Sequence, residues 1–168
     1  MLTVQVTQVI RCTPDDLLRF VMDPEQYAAI DRKINPVRWV RREGNVVEFA
    51  FRARVAGIPG PVTVSRMTLT PGRRVDVALA PPPANRASRM LSDFTASFDC
   101  TAVDNGTKLV RTLNFGFNRL LGGFAERFLR TRIQAEVEEE IRLAKEYLER
   151  DRREPAAGRN TQGNGEDG

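Results

Sequence analysis

Alternating apolar and polar positions run through most of the first 117 residues and predict a chain rich in β-strands. Leu2–Ile10 alternates from its start and predicts the first strand. Asp104-Asn105-Gly106-Thr107 is the clearest hairpin signal. The remaining predicted strands are Val37–Arg42, Val46–Val55, Pro61–Thr70, Val75–Ala80, Leu91–Val103 and Lys108–Phe117. Short turns between successive strands indicate an antiparallel meander.

The segments between the strands carry their own signals. Residues 57–61 hold two glycines and two prolines and predict a loop, and residues 81–90 predict a second one. Thr13 followed by Pro14 and two acids predicts the capped start of a helix that reaches Val21. Asp23 before Pro24 predicts a second short helix, which ends at about Ile30.

A long helix is predicted from Asn118 to Arg150, with Gly122-Gly123 as a point where its start could break. Its apolar residues form two stripes on nearly opposite sides, so the helix either kinks near Phe128 or packs with two faces. The first stripe is Phe117, Leu121, Phe124 and Phe128. The second stripe is Leu129, Ile133, Val137, Ile141, Ala144 and Leu148.

This order of elements predicts an α+β domain over residues 1–150. A strongly twisted antiparallel sheet can curl around one long helix and leave a concave apolar space, which is a natural site for a small ligand. From residue 151 the chain is rich in Gly, Asn and charge. Residues 151–168 are therefore predicted to form a disordered polar tail.

The amino-acid composition excludes several kinds of catalytic and metal site. The 168 residues include no histidine, which excludes Ser-His and Cys-His catalysis and removes the commonest metal ligand. Cys12 and Cys100 are too few and too isolated for a zinc site or a disulfide framework, and we read them as buried small hydrophobes. We therefore expect no metal and no cofactor.

Charge and hydropathy indicate the location and the partners. The net charge is +4, yet no run of five like charges occurs, so we expect no specific nucleic-acid partner. The chain contains no stretch of about 18 apolar residues, so we predict no transmembrane segment. The N-terminus lacks the pattern of a signal peptide, and the expected location is cytoplasmic.

Three short segments of the sequence resemble segments of a known protein family. Asp23-Pro24-Glu25-Gln26-Tyr27, after the helix that starts at Thr13, resembles an opening junction of the START-like family, also called SRPBCC. That family includes the polyketide cyclase/dehydrase and lipid-transport proteins. Leu69–Val75 resembles its central proline turn, and Asp104–Thr107 resembles its last hairpin. Many members have Pro and Trp after the tyrosine, where this chain has Ala28–Asp31, which leaves the ligand class open.

The resemblance implies a helix-grip (Bet v 1-like) fold, with about seven antiparallel strands around a long C-terminal helix. It also implies a small hydrophobic molecule as the partner, because members bind lipids, sterols, polyketides or plant hormones. Some members catalyse cyclisation or dehydration.

Arg111 is the most informative candidate for a ligand contact. It shares a face of the last strand with Leu109, Leu113 and Phe115, so an inward face would bury a charge among apolar neighbours. Arg111 would then pair with a ligand carboxylate or enolate, or with an internal carboxylate. Glu138-Glu139-Glu140 on the long helix is predicted to face solvent.

The other candidates line the predicted space or pack as ordinary core. Tyr27 and Trp39 each combine an aromatic body with a polar group that could hydrogen-bond a ligand. Phenylalanines on the sheet fit inward positions, and two methionines suit an adaptable wall. The candidate ligand-binding residues are Tyr27, Trp39, Phe49, Phe51, Met67, Met90, Phe94, Phe98, Arg111, Leu113, Phe124 and Phe128.

The sequence is compatible with three functions. The first is binding of a lipid, polyketide or aromatic compound. The second is a cyclase/dehydrase in which Asp, Glu, Tyr or water moves the protons while Arg111 stabilises an enolate. A buried carboxylate with a raised pKa would support it. The third is a protein or membrane contact, including a homodimer, through the arginines with Phe124 and Phe128.

Overall fold

The computed structural model of the chain describes residues 2–55, 58–85, 92–117 and 123–151. Of residues 53–55, 58–60, 92–93, 117, 123–129 and 151 it describes the backbone alone. The elements in chain order are β1 (Leu2–Ile10), α1 (Pro14–Val21), α2 (Pro24–Tyr27), β2 (Val37–Glu43), β3 (Val46–Val55), β4 (Ile58–Thr70), β5 (Arg74–Leu79), β6 (Ser92–Val103), β7 (Gly106–Phe117) and α3 (Gly123–Asp151).

All seven strands form one antiparallel sheet in the order β1-β7-β6-β5-β4-β3-β2. Strands β2 to β7 follow one another as a meander, and β1 joins the last of them, where Leu2 lies opposite Phe115. The sheet curves and carries α3 as its C-terminal helix. The predicted α+β class and the helix-grip arrangement are confirmed.

Side-chain caps set the helix starts as the sequence predicts. Thr13 Oγ1 accepts a hydrogen bond from the backbone N–H of Asp16 at 3.2 Å, and Asp23 Oδ1 accepts from the N–H groups of Glu25 and Gln26. These bonds satisfy donors that the first turn of a helix leaves free.

The second helix is shorter than predicted, because α2 ends at Tyr27 rather than at Ile30. Residues 28–34 form successive turns instead. The Asp31 carboxylate accepts the backbone N–H of Lys33 at 3.0 Å, which gives the chain a local alternative to the helical hydrogen bond.

The predicted loop at residues 57–61 is wrong at residues 58–60, and the strand predicted from Pro61 begins three residues earlier. Strand β4 begins at Ile58, which pairs with Val55, and Pro59 pairs with Arg54. Strand β4 pairs with β5 only from Ser65 onward. Pro59 and Pro61 lie before that residue, so their missing backbone N–H groups cost no hydrogen bond to β5.

The second apolar stripe of the long helix faces the core as predicted. Val137, Ile141 and Ala144 are buried, and Ile133 and Leu148 pack against the same cluster. Helix α3 begins at Gly123 and continues unbroken past Phe128. The side chains of the first stripe, Phe117, Leu121, Phe124 and Phe128, lie outside the described residues, as does Leu129 of the second.

The C-terminal half of α3 is fixed to strand β1 by polar contacts. Lys145 donates to the carbonyl of Val9 at 2.9 Å, and Glu149 accepts the backbone N–H of Arg11 at 3.0 Å. In the part of the chain that the structure describes, no helix is both long and apolar enough to cross a membrane.

Candidate functional site

The centre of the site is a carboxylate that the sequence pattern assigned to solvent. Glu140 on α3 is only 3% exposed, and the prediction of a solvated Glu138–Glu140 face is wrong at this position. Its Oε1 accepts the Tyr27 hydroxyl at 2.5 Å and Arg111 Nε at 3.3 Å. Its Oε2 accepts Lys33 Nζ at 2.9 Å. Three elements of the fold and the turn after α2 thus meet at one side chain.

Arg111 faces inward from β7, one of the two orientations that the sequence left open, and is 6% exposed. Its partner is internal, because Glu140 takes its Nε–H. The guanidinium carbon lies 3.8 Å from the centre of the Phe98 ring, a cation–π geometry. Its Nη1 lies 3.5 Å from the carbonyl oxygen of Ser97. The charge is therefore buried with a counter-ion and hydrogen bonds, as burial requires.

Asp31 completes the group from the turn segment after α2. It is 7% exposed, and its Oδ1 lies 3.6 Å from Lys33 Nζ. Lys33 therefore contacts two carboxylates, and its side chain is one-third exposed. We call Tyr27, Asp31, Lys33, Arg111 and Glu140 the buried charge network. Lys33 is the one member of this network that is partly exposed.

The two carboxylates of the network have opposite pKa shifts. Burial raises the pKa of Glu140, but the attraction of Arg111 and Lys33 outweighs burial and lowers this pKa to about 2. Burial and the charge of Glu140 raise the pKa of Asp31 to about 6, and Lys33 offsets this only in part. Two nearby acids with pKa values pushed apart are a pattern typical of acid–base sites.

The two proton donors of the network respond to the same charges. Burial and the negative charge of Glu140 raise the pKa of Tyr27 well above its usual value, so its hydroxyl stays protonated. For Lys33, burial alone would lower the pKa, but attraction to Glu140 and Asp31 wins and raises it. Near pH 7 the network therefore holds two positive and two negative charges.

An apolar wall leads away from the network along β6 and β7. Phe98 pairs with Arg111 across the sheet, and the next inward pairs are Ala96 with Leu113 and Phe94 with Phe115. The last pair is only half-buried, and its rings are 5.1 Å apart. Tyr27 meets the Phe98 ring edge-on at 5.7 Å. The inner face is thus charged at one end and aromatic at the other.

Most of the predicted site residues lie in or against a single apolar core. The residues it contains are Tyr27, Phe49, Phe51, Met67, Phe98 and Leu113, with Phe94 packed against it. Trp39 does not join them, because it lies on edge strand β2 opposite Ala50 and is 46% exposed. Met90 lies outside the described residues, and so do the side chains of Phe124 and Phe128.

The sequence interpretation missed Asp31, Lys33 and Glu140. For Glu140 a signal was available, because it stands three residues after Val137 and four before Ala144, on the edge of the buried stripe. Asp31 and Lys33 gave no periodic signal, because they lie in irregular turns.

A surface pocket of about 320 Å³ lies beside the same turn segment. Its lining residues are Glu25, Ala28, Ala29, Asn35, Pro36 and Val37, which flank Asp31 and Lys33 in the chain. The turn segment therefore borders the buried charge network and an open pocket.

Comparison with known families decides the membership of the chain. Residues 1–149 match the family described as polyketide cyclase/dehydrase and lipid transport. The chain belongs to this family. No curated protein sequence matches it.

Solved structures agree with this assignment at the level of the fold. The protein TTHA0849 from Thermus thermophilus is 16% identical with a TM-score of 0.73, over 89% of this chain and 98% of that one. Zhui aromatase/cyclase from Streptomyces sp. R1128 is 21% identical with a TM-score of 0.64, over 93% and 97%. A START superfamily protein from Mycobacterium smegmatis is 13% identical with a TM-score of 0.65, over 89% and 99%.

Proposed function

We propose that this member of the family binds a small hydrophobic molecule, of lipid, polyketide or aromatic type, between the inner face of the sheet and α3. The observation that carries the proposal is the inward apolar wall that begins at a buried charge network. An apolar surface with a few fixed polar groups is the usual composition of a ligand site. The family description, which names lipid transport and polyketide chemistry, supports the same class of ligand.

The first test is native mass spectrometry of the purified chain, followed by extraction and small-molecule analysis. We expect a co-purifying hydrophobic compound, or a rise in melting temperature with members of a lipid and polyketide panel, because binding to the folded state stabilises it. A chain that is empty, gains no stability from the panel and binds no hydrophobic dye would refute the proposal.

A matched pair of variants locates the site. Ala96 faces inward on β6 and is buried, whereas its neighbour Thr95 is exposed on the other face. Ala96→Trp should fill the space along the wall and abolish binding, while Thr95→Trp should leave binding intact. The melting temperature of each variant separates lost binding from lost folding, because overpacking a core costs about 1–3 kcal/mol.

Cyclase/dehydrase chemistry is the second candidate, favoured by the pair of buried carboxylates. Dehydration removes a proton from carbon and expels a hydroxyl as water, so it needs a base and an acid. Asp31, with a pKa of about 6, suits a group that exchanges protons near neutral pH, and Arg111 suits a developing enolate. Unchanged turnover of poly-β-ketone thioesters in Arg111→Ala would exclude this mechanism.

A further inference from the structure

The two edges of the sheet differ in what covers them. Strand β1 forms one edge, and α3 closes it through the bond from Lys145 to the carbonyl of Val9 and the bond from the N–H of Arg11 to Glu149. Strand β2 forms the other edge. In the described part of the chain, the backbone of β2 pairs with β3 and with no other backbone segment. Because every second residue of an edge strand directs its N–H and C=O away from the sheet, β2 has free pairing groups.

The charged side chains of β2 determine which strand can pair with this edge. Three arginines, Arg38, Arg41 and Arg42, accompany a single acid, Glu43. Arg41 is 72% exposed and has only a long contact of 3.7 Å with Glu43, whereas Arg42 already contacts two acids at the start of α2. A second copy of β2 would bring these arginines against one another, which disfavours self-pairing. An acidic strand would complement them.

Trp39 adds an exposed aromatic surface to the same edge. It is 46% exposed and lies opposite Ala50, on the outer face of the sheet that also carries Arg41. Two residues further along β3, Arg52 lies opposite Val62, which is 41% exposed. Tryptophan and arginine are the residues that most often dominate the binding energy of protein–protein contacts.

The surface pocket of about 320 Å³ lies where β2 begins. Ala28, Ala29, Pro36 and Val37 give it an apolar lining, and Glu25 is its one charged residue. An added strand that runs toward the start of β2 ends at this pocket. Peptides bound to a sheet edge gain affinity from main-chain hydrogen bonds and specificity from pockets of this kind.

We propose that β2 binds an extended acidic segment of a partner protein, which adds an antiparallel strand beside Trp39–Glu43 and places an apolar side chain in the pocket at Val37. The ladder begins at Trp39 because the register of β2 shifts after Val37. Lipid headgroups and nucleic-acid phosphates can satisfy arginines, but they cannot supply the alternating N–H and C=O groups that a free sheet edge pairs with. The inference is independent of the ligand proposed above, because it concerns the edge of the sheet rather than its inner face.

A heptapeptide designed for this register tests the proposal. Acetyl-Thr-Thr-Glu-Val-Thr-Glu-Leu-amide places its glutamates opposite Arg41 and Arg38 and its leucine at the pocket. Trp39 is the only tryptophan of the chain, so its fluorescence reports on the edge directly. We expect a saturable blue shift with a dissociation constant below about 1 mM, and no shift with the peptide that has lysines in place of the glutamates.

Two N-methylated versions of the peptide separate strand pairing from charge attraction. One carries methyl groups on the amides of its odd-numbered residues and the other on the amides of its even-numbered residues. In an added strand, only one of these sets of N–H groups points at β2. We expect one version to lose about tenfold or more in affinity and the other to keep it. Equal affinities of the two versions would refute strand addition.

Charge reversal tests the contribution of Arg41. Arg41→Glu should lower the affinity for the glutamate peptide by about tenfold and raise the affinity for the lysine peptide, because the cross-strand pair changes sign. Arg19→Glu, at an exposed position of α1, changes the net charge equally and should leave both affinities unchanged. The melting temperature of each variant checks its folding, and a response of the two variants to the same extent would contradict the proposal.

Other occupants of this edge would give different results. A blue shift with phosphatidylserine vesicles or with a thymidine oligonucleotide, but not with the glutamate peptide, would assign Trp39 to a membrane or to a nucleic acid. A blue shift on raising the protein concentration alone, together with a dimer in sedimentation, would assign the edge to a second copy. Either result, or the absence of any response to the glutamate peptide, overturns the proposal and leaves the proposed ligand-binding function untouched.

Discussion

Asp31 illustrates how a single residue can oppose folding at neutral pH. Its pKa rises from 3.8 to about 6 in the folded chain, first because it is buried and then because Glu140 is near. A folded pKa above the unfolded one means that the folded state binds the proton more tightly. The resulting stabilisation is complete below pH 3.8 and is lost as the pH rises through 6.

We therefore predict that Asp31→Asn stabilises the protein at neutral pH. The amide removes the buried negative charge but keeps an oxygen for the Lys33 N–H, so the free energy of unfolding should rise by about 1–3 kcal/mol at pH 7.5. The gain should disappear at pH 3.5, where the parent carboxyl is itself protonated. Urea unfolding at both pH values measures it. A loss of stability at pH 7.5 would mean that the pair with Lys33 outweighs burial.

Site residues were predictable where one strand face decided them. Alternation placed Phe98 inside and grouped Arg111 with Leu113 on one face of the last strand, because neighbouring side chains on a strand point to opposite faces; the structure shows that this face points inward. The partner of Arg111 was not identified, because a triplet of glutamates on a helix has the composition of a solvated surface. Only the rotation of the helix separates buried Glu140 from exposed Glu138 and Glu139.

At the scale of the element, Gly106 fixes how β7 meets β1. Its φ is +139°, and an added Cβ would lie 2.2 Å from the carbonyl oxygen of Ile10 and 2.9 Å from the Cα of Arg11. Both contacts are with backbone, which cannot move aside as a flexible side chain can. The close approach of the β6–β7 turn to the end of β1 thus requires glycine.

Gly106→Ala should destabilise the protein by about 2–5 kcal/mol, through backbone strain together with the steric clash. Gly44 in the β2–β3 turn is the matched control, since its φ is +55° but nothing lies within 4 Å of an added Cβ. Gly44→Ala should cost only about 1 kcal/mol. Thermal and urea unfolding compare the two variants, and equal losses would show that the contact with Ile10 relaxes freely.

Elements could be predicted wherever local pattern and tertiary structure agree. The first strand and the two helix caps were correct because alternation and capping are local. The end of α2 and the start of β4 were predicted wrongly, for opposite reasons. After Tyr27 the chain continues as successive turns, in which Asp31 caps the N–H of Lys33, while pairing with β3 extends β4 through prolines that usually indicate a loop.

For the whole molecule, the buried charge network connects distant parts of the chain. It joins α2 and the following turn to β7 and to α3 through Glu140, over sequence separations of up to 113 residues. Breaking a buried ion pair by removing one partner costs about 3–5 kcal/mol, because the other charge stays buried without compensation. Domains of this kind have about 5–15 kcal/mol of total stability.

A double-mutant cycle on Arg111 and Glu140 tests whether this network acts as one unit. Arg111→Met and Glu140→Gln should each lower the free energy of unfolding by about 3–5 kcal/mol, since each leaves an unbalanced buried charge. The double variant should lose less than the sum of the two, because removing both charges restores neutrality. Arg142→Ala removes the exposed pair with Glu139 and should change the urea midpoint very little. Additive losses at Arg111 and Glu140 would show that Lys33 and Tyr27 hold Glu140 independently of β7, and that the two residues do not act as one unit.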